Sequence, residues 1–185
     1  MKEFYEVDIS GLKRQLPICK VNDDLYIAAF IMFGDVEITK HCAAELLKLL
    51  PADCDVLLTA EAKGIPLCYE MARSLPGNYV VARKFPKLYM KDILEVKVNS
   101  ISTARTQTLF LDKTDVLRIK GKKVAIIDDV ISTGDSISAL ETLVKEAGGE
   151  VAARLAVLAE GDAIGRDDIK YLAEIPLFNA NGDVI

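Results

Sequence analysis

Apolar and polar residues change their spacing several times along the chain, and each change marks an element. Residues 17–33, PICKVNDDLYIAAFIMF, hold two short apolar runs around Asn22-Asp23-Asp24 and predict a hairpin. From 36 to 50 the spacing becomes helical, with Ile38, Cys42, Leu46 and Leu49 on one face. Asp35 is placed to cap that helix and Pro51 to stop it. Residues 54–60, CDVLLTA, read as an apolar strand. Pro66 suits the first turn of a helix over 65–75, which Pro-Gly-Asn ends. Residues 79–83 read as a buried strand, and 94–98 and 106–111 alternate as a second hairpin. The run 123–127 is again a buried strand. The helix after it, over about 135–147, places Ile137, Leu140, Leu143, Val144 and Ala147 on one face and ends at Gly148-Gly149. Strands follow at 151–159 and 175–178.

Strands alternating with helices predict one α/β domain over 1–185 with a mostly parallel central sheet flanked by helices. The hairpin at 94–111 interrupts that alternation as an insertion, and the N-terminal hairpin forms a small subdomain.

Composition narrows the picture. The chain has 185 residues, 51% of them hydrophobic, enough for one well-filled core and too apolar for disorder. Its 23 Lys and Arg against 28 Asp and Glu give a net charge of −5, which argues against nucleic-acid or acidic-membrane surfaces but allows a local phosphate site. Cys19, Cys42, Cys54 and Cys68 show no CxxC spacing and lie in apolar or amphipathic stretches. They read as buried thiols of a cytoplasmic protein rather than a disulfide or metal framework. No apolar run reaches the ~20 residues needed to span a bilayer, and the charged N-terminus lacks the apolar core of a signal peptide.

The candidate chemistry lies in VAIIDDVISTGDS, Val124 to Ser136. A strand, loop and helix in that order put the loop at the carboxyl edge of the sheet, where open α/β folds bind ligands. The helix N-terminus offers unpaired N–H groups and a favourable dipole to a phosphate. Gly134 lets the loop expose its amides, and Ser132, Thr133 and Ser136 add hydroxyls. The stretch is neither a Walker A loop nor GxGxxG. Asp128 and Asp129 would repel a phosphate, but they can accept hydrogen bonds from sugar hydroxyls or help organise Mg²⁺. An ordinary capped helix after a buried strand leaves two tandem acids ahead of an anion loop unexplained.

AIIDDVISTGDS resembles the phosphoribosyl-pyrophosphate (PRPP) motif of type I phosphoribosyltransferases: apolar strand, two acids, two apolar residues, then Thr-Gly-x-Ser/Thr. Asp135 stands where many members have a second glycine. The resemblance extends over most of the chain. TAEAKGIPL (59–67) is similar to the family's pyrophosphate loop, with Glu61, Ala62, Lys63 and Gly64 where the adenine branch has Glu-Ala/Ser-Arg-Gly. The resemblance implies a cis peptide between Glu61 and Ala62, and Lys63 contacting pyrophosphate as a point charge. VVARKFPKLYMK (80–91) is similar to the family's strand and basic loop. It implies that Arg83, Lys84 and Lys87, in a patch with Tyr89 and Lys91, engage pyrophosphate. Residues about 85–108 would be a mobile loop closing over the site.

The implied reaction displaces pyrophosphate from PRPP by a purine nitrogen, with Mg²⁺ as cofactor and a homodimer as the working form. Adenine is the first candidate base and xanthine or another 6-oxopurine the second. The family's base specificity sits in an N-terminal hood, here about 1–33, where Cys19 and Ile27 are candidate base contacts. Glu160 is a third, since a carboxylate accepts N–H from an amino-purine, although it serves equally as a surface residue. Thr103 aligns where the adenine branch has a mobile-loop glutamate, which weighs against adenine. His41 reads as structural. A second class stays open: AKGIPLCY and RTQTLFL also resemble the PRPP-sensing domain of a bacterial purine repressor, which binds without catalysis. The residues before 54 show no helix-turn-helix pattern, which favours the enzyme.

Overall fold

The computed structural model describes residues 3–99 and 106–185. The chain opens with an antiparallel meander of β1 (Phe4–Ile9), β2 (Leu12–Lys20) and β3 (Tyr26–Ala28). Ser10 and Gly11 both take left-handed φ, 52° and 92°, the conformation of a two-residue hairpin turn. Asn22 closes the β2–β3 turn by accepting from the N–H groups of Asp24 and Leu25, 2.9 Å each.

Helix α1 (Val36–Leu47) starts at the predicted cap: Asp35 accepts from Ile38 N–H at 3.0 Å. The Asp35 carboxylate also takes Arg14 of β2 at 2.8 Å, which fastens the meander to the helical layer. That guanidinium holds the Asp35 carboxyl below its usual range. His41 Nε2 bonds the Ile9 carbonyl at 2.8 Å, a structural role as expected.

Five parallel strands form the central sheet in the order β10-β9-β8-β4-β5: β4 (Val56–Ala60), β5 (Tyr79–Ala82), β8 (Lys123–Ile131), β9 (Glu150–Glu160) and β10 (Lys170–Ile175). Alternation along β8 decides the layers. Ala125 and Ile127 pack on the face covered by the meander, α1 and α2 (Ile65–Ala72), while Val124 and Ile126 pack on the face covered by α4 (Asp135–Glu146). The hairpin β6 (Leu94–Asn99) and β7 (Thr106–Leu111) lies on that second face, with Val96, Leu109 and Leu111 buried. Helix α3 is Lys113–Ile119. The expected apolar face of α4 is buried in full.

Several expectations change. β1, α3 and β10 carry no prediction from the sequence. The strand expected at 175–178 breaks at Pro176: Ile175 ends β10, and β11 (Leu177–Phe178) pairs with β3 instead. The hood is therefore the sheet β1-β2-β3-β11, drawn from both ends of the chain. The strand read as 123–127 continues through both acids to Ile131. Cys42 and Cys68 are buried and Cys54 half-buried, but Cys19 is exposed, because it stands near the end of a hood strand rather than under the core. Of the loop expected over 85–108, residues 100–105 lie outside the described part, and Thr103 with them. Among the described residues no helix is long and apolar enough to cross a membrane.

Candidate active site

In an open α/β sheet, the crevice forms where successive connections turn to opposite sides. Here the chain runs from β4 outward to β5, then returns to β8 on the other flank of β4. The switch point thus lies between β4 and β8, and the loops leaving those two strands face each other across it.

After β8 comes the anion loop. Gly134 has φ 84° at the cap of α4, a conformation that suits glycine. Asp135 turns its carboxylate back on the loop, accepting from the Thr133 hydroxyl at 3.0 Å. Asp128 and Asp129 lie within the last turns of pleat of β8. Asp129 is 3% exposed, and its N–H donates to Asp128 Oδ1 at 2.9 Å. Burial, then the neighbouring Asp129 charge, raises the pKa of Asp128.

After β4 comes the cationic loop. The Glu61–Ala62 peptide is cis, as the resemblance implies. Lys63 reaches across the switch point to Asp129 Oδ2 at 2.7 Å, a charge contact without hydrogen-bond alignment. Its positive charge also reaches Asp128 and Glu160, opposing the rise that burial causes in each. Gly64 is buried at the start of α2, where an added β-carbon would collide with Thr59 Oγ1. Thr59 is fully buried, and its hydroxyl has no hydrogen-bond partner among the described residues.

Glu61 gathers the basic segment after β5. It accepts from Lys84 N–H at 3.2 Å and pairs with Arg83 at 3.4 Å and Lys87 at 3.6 Å. These contacts hold Glu61 below the usual carboxylate range, the Lys84 N–H foremost. The Lys84 side chain itself is exposed.

The expected base contacts also come together. Cys19 pairs with Ile27 across β2–β3, and Ile27 pairs with Leu177 of β11. Gly161, next to Glu160, lies against that Leu177 side chain. Glu160 is 9% exposed, buried rather than on the surface, and desolvation raises its pKa. Two residues that lie against these loops have no local sequence signal: Thr59, beneath Gly64, and Arg166, whose guanidinium meets Gly134.

An open parallel sheet with tandem acids, a glycine-capped helix and a cationic loop at its switch point defines an α/β protein whose crevice suits a phosphate-bearing ligand. The comparisons make that class specific. The family model of the phosphoribosyl transferase domain matches residues 36–181. An adenine phosphoribosyltransferase of Butyrivibrio fibrisolvens is 34% identical over 149 residues, 76% of this chain and 80% of that protein. A hypoxanthine/guanine phosphoribosyltransferase of Methanococcus maripaludis is 30% identical over 126 residues, 68% of this chain and 64% of that protein. The crystal structure of adenine phosphoribosyltransferase from Thermoanaerobacter pseudethanolicus shares the fold, with a TM-score of 0.67 at 24% identity over 93% of this chain and 95% of that one. The chain belongs to the phosphoribosyltransferase family.

Proposed function

We propose that the protein transfers the ribose 5-phosphate of PRPP to a purine base and releases pyrophosphate, with adenine the first candidate and a 6-oxopurine such as xanthine the second. One observation carries the reading: the acids Asp128 and Asp129, the N-terminus of α4 and the cations Lys63, Arg83 and Lys87 converge at one sheet edge. Residues 132–136 hold the 5′-phosphate on their amides and hydroxyls. Asp128 and Asp129 meet the ribose hydroxyls, and the pair lays negative charge beneath a sugar ring that turns cationic as pyrophosphate leaves. Lys63, Arg83, Lys84 and Lys87, with the amides of Ala62 and Gly64, take the departing pyrophosphate. Glu61, which has no donor to offer a phosphate, serves by holding Arg83 and Lys87 in place. Holding both reactants in register lowers the entropic part of the barrier.

The base lies between the hood, at Cys19 and Ile27, and Glu160. A buried carboxylate there favours the exocyclic amine of adenine over a ring oxygen.

Mg²⁺ fits this donor set. Among the described residues no group of three or more candidate ligands is gathered for a metal. Mg²⁺ typically keeps several waters and takes one or two carboxylates plus substrate phosphates, so it arrives with PRPP, with Asp128 and Asp129 beside it. When bound it offsets the charge of the departing pyrophosphate.

The whole chain acts as one transferase domain. The working form is a homodimer. The four free thiols suit a cytoplasmic setting.

The experiment is a base panel. The protein is incubated with PRPP, Mg²⁺ and each of adenine, hypoxanthine, guanine, xanthine, uracil and orotate, and nucleotide and pyrophosphate are measured. Adenine gives the highest kcat/KM, and sedimentation of the same sample gives the dimer mass. Turnover with a 6-oxopurine alone would move the base assignment. Tight PRPP binding without turnover of any base would make the protein a sensor, and sedimentation at the monomer mass would remove the dimer.

A further inference from the structure

The anion loop has a neighbour from outside its own strand and helix. A β-carbon built on Gly134 would stand 2.6 Å from Arg166 Nη1, so the guanidinium lies directly on the loop's α-carbon. Arg166 comes from the connection between β9 and β10. Asp168 grips it with two parallel hydrogen bonds, Nε to Oδ1 at 2.9 Å and Nη2 to Oδ2 at 2.7 Å. This fork fixes the guanidinium plane and occupies one edge of it. The remaining corner, Nη1, is the one turned toward Gly134.

The pair is 34% and 43% exposed, and partly exposed pairs of this kind contribute little to stability. Its placement serves the loop. The amides at the start of α4 supply only partial positive charge, and Asp135 adds a full negative charge in the first turn. A sugar phosphate seated there meets a carboxylate of its own sign. Arg166 brings a full positive charge and N–H donors to the same loop, in the planar form suited to phosphate oxygens. The Asp168 hydrogen bonds, with Glu141 also within electrostatic reach, raise the guanidinium's pKa further.

We infer that Arg166 is a substrate-binding residue: Nη1 donates to the phosphate seated in loop 132–136, and Asp168 is the positioning residue that aims it. The inference rests on the reading of that loop as the 5′-phosphate site.

The test separates the two ends of the substrate. Wild type, Arg166→Gln, Arg166→Lys and Asp168→Asn are titrated calorimetrically with ribose 5-phosphate and, separately, with pyrophosphate, and KM for PRPP is measured. Arg166→Gln weakens ribose 5-phosphate and raises KM for PRPP by about tenfold or more, the scale of one hydrogen bond to a charged group, while pyrophosphate affinity stays within twofold. Arg166→Lys restores part of the loss, and Asp168→Asn shows the same one-sided pattern more weakly. Unchanged ribose 5-phosphate affinity in a folded Arg166→Gln would overturn the inference, as would equal losses for both ligands. If wild type bound pyrophosphate but not ribose 5-phosphate, the loop assignment beneath it would fall first.

Discussion

Replacing both Asp128 and Asp129 with Asn leaves a folded protein whose transfer activity is down by about a thousandfold or more, the scale on which preorganised charge at a reacting centre acts. Asn keeps the shape and one acceptor, but it removes the negative charge beneath the ribose. The fold does not depend on that charge. Asp129 is 3% exposed, and its ionic partner Lys63 is itself half exposed, so water hydrates the ammonium left behind. Asp128 is disfavoured in its charged form by burial and by Asp129. Removing a like-charged pair from this position is neutral to stabilising.

The pH dependence follows from the same shift. The folded pKa of Asp128 lies above its unfolded value, so between the two the native state keeps a proton that the unfolded chain has released. Wild-type stability therefore falls as pH rises from the ordinary carboxylate range through the raised value. The Asn pair lacks that decline, and its Tm advantage over wild type grows across the window. Thermal denaturation at several pH values, with PRPP turnover, checks both halves. Surviving activity would remove the acids from the ribose site, and a collapsed fold would make them structural.

Gly64→Ala damages the protein from a position that touches no expected ligand with a side chain. The backbone of Gly64 is ordinary, φ −73°, so the cost is not conformational. It is a collision, because the new β-carbon meets Thr59 Oγ1 and Thr59 is fully buried. Overpacking of this kind costs about 1–3 kcal/mol, and here it also shifts the loop that carries Lys63. KM for PRPP rises along with the loss in Tm.

The cure lies beneath the loop. Thr59→Ala alone stays within about 1 kcal/mol of wild type, since the lost methyl burial and the relief of an unpartnered hydroxyl oppose each other. The double variant Gly64→Ala with Thr59→Ala recovers most of both losses, because the next atoms stand at 3.4 Å and beyond. Urea denaturation of the four proteins gives the coupling directly. Additive effects would show that the contact is not what requires glycine.

Much of this was legible because it is local. The cap at Asp35, Pro66 in the first turn of α2, Gly148 after α4 and the two-faced alternation of Val124 to Ile127 each depend on neighbours a few residues away. Where local signals were weak, elements were missed. Helix α3 has seven residues, with Leu117 63% exposed, and offers little apolar face to read. β1 alternates apolar residues with Glu6 and Asp8 before the Ser10-Gly11 turn, a strand pattern that goes unread without its partner.

The order of strand, acids, loop and helix at Val124 to Ser136 is written along the chain, and with it the chemistry proposed for the ribose phosphate, because those groups are covalent neighbours. What stands opposite them is set by strand order and packing. The return of the chain from β5 to β8 sets Lys63 on Asp129, and the pairing of β11 with β3 completes the hood with Leu177. The fold also carries Arg166 to Gly134 and buries Thr59 beneath Gly64. Each of these contacts joins residues remote in the chain, and their positions follow from strand order and packing, which no local pattern encodes.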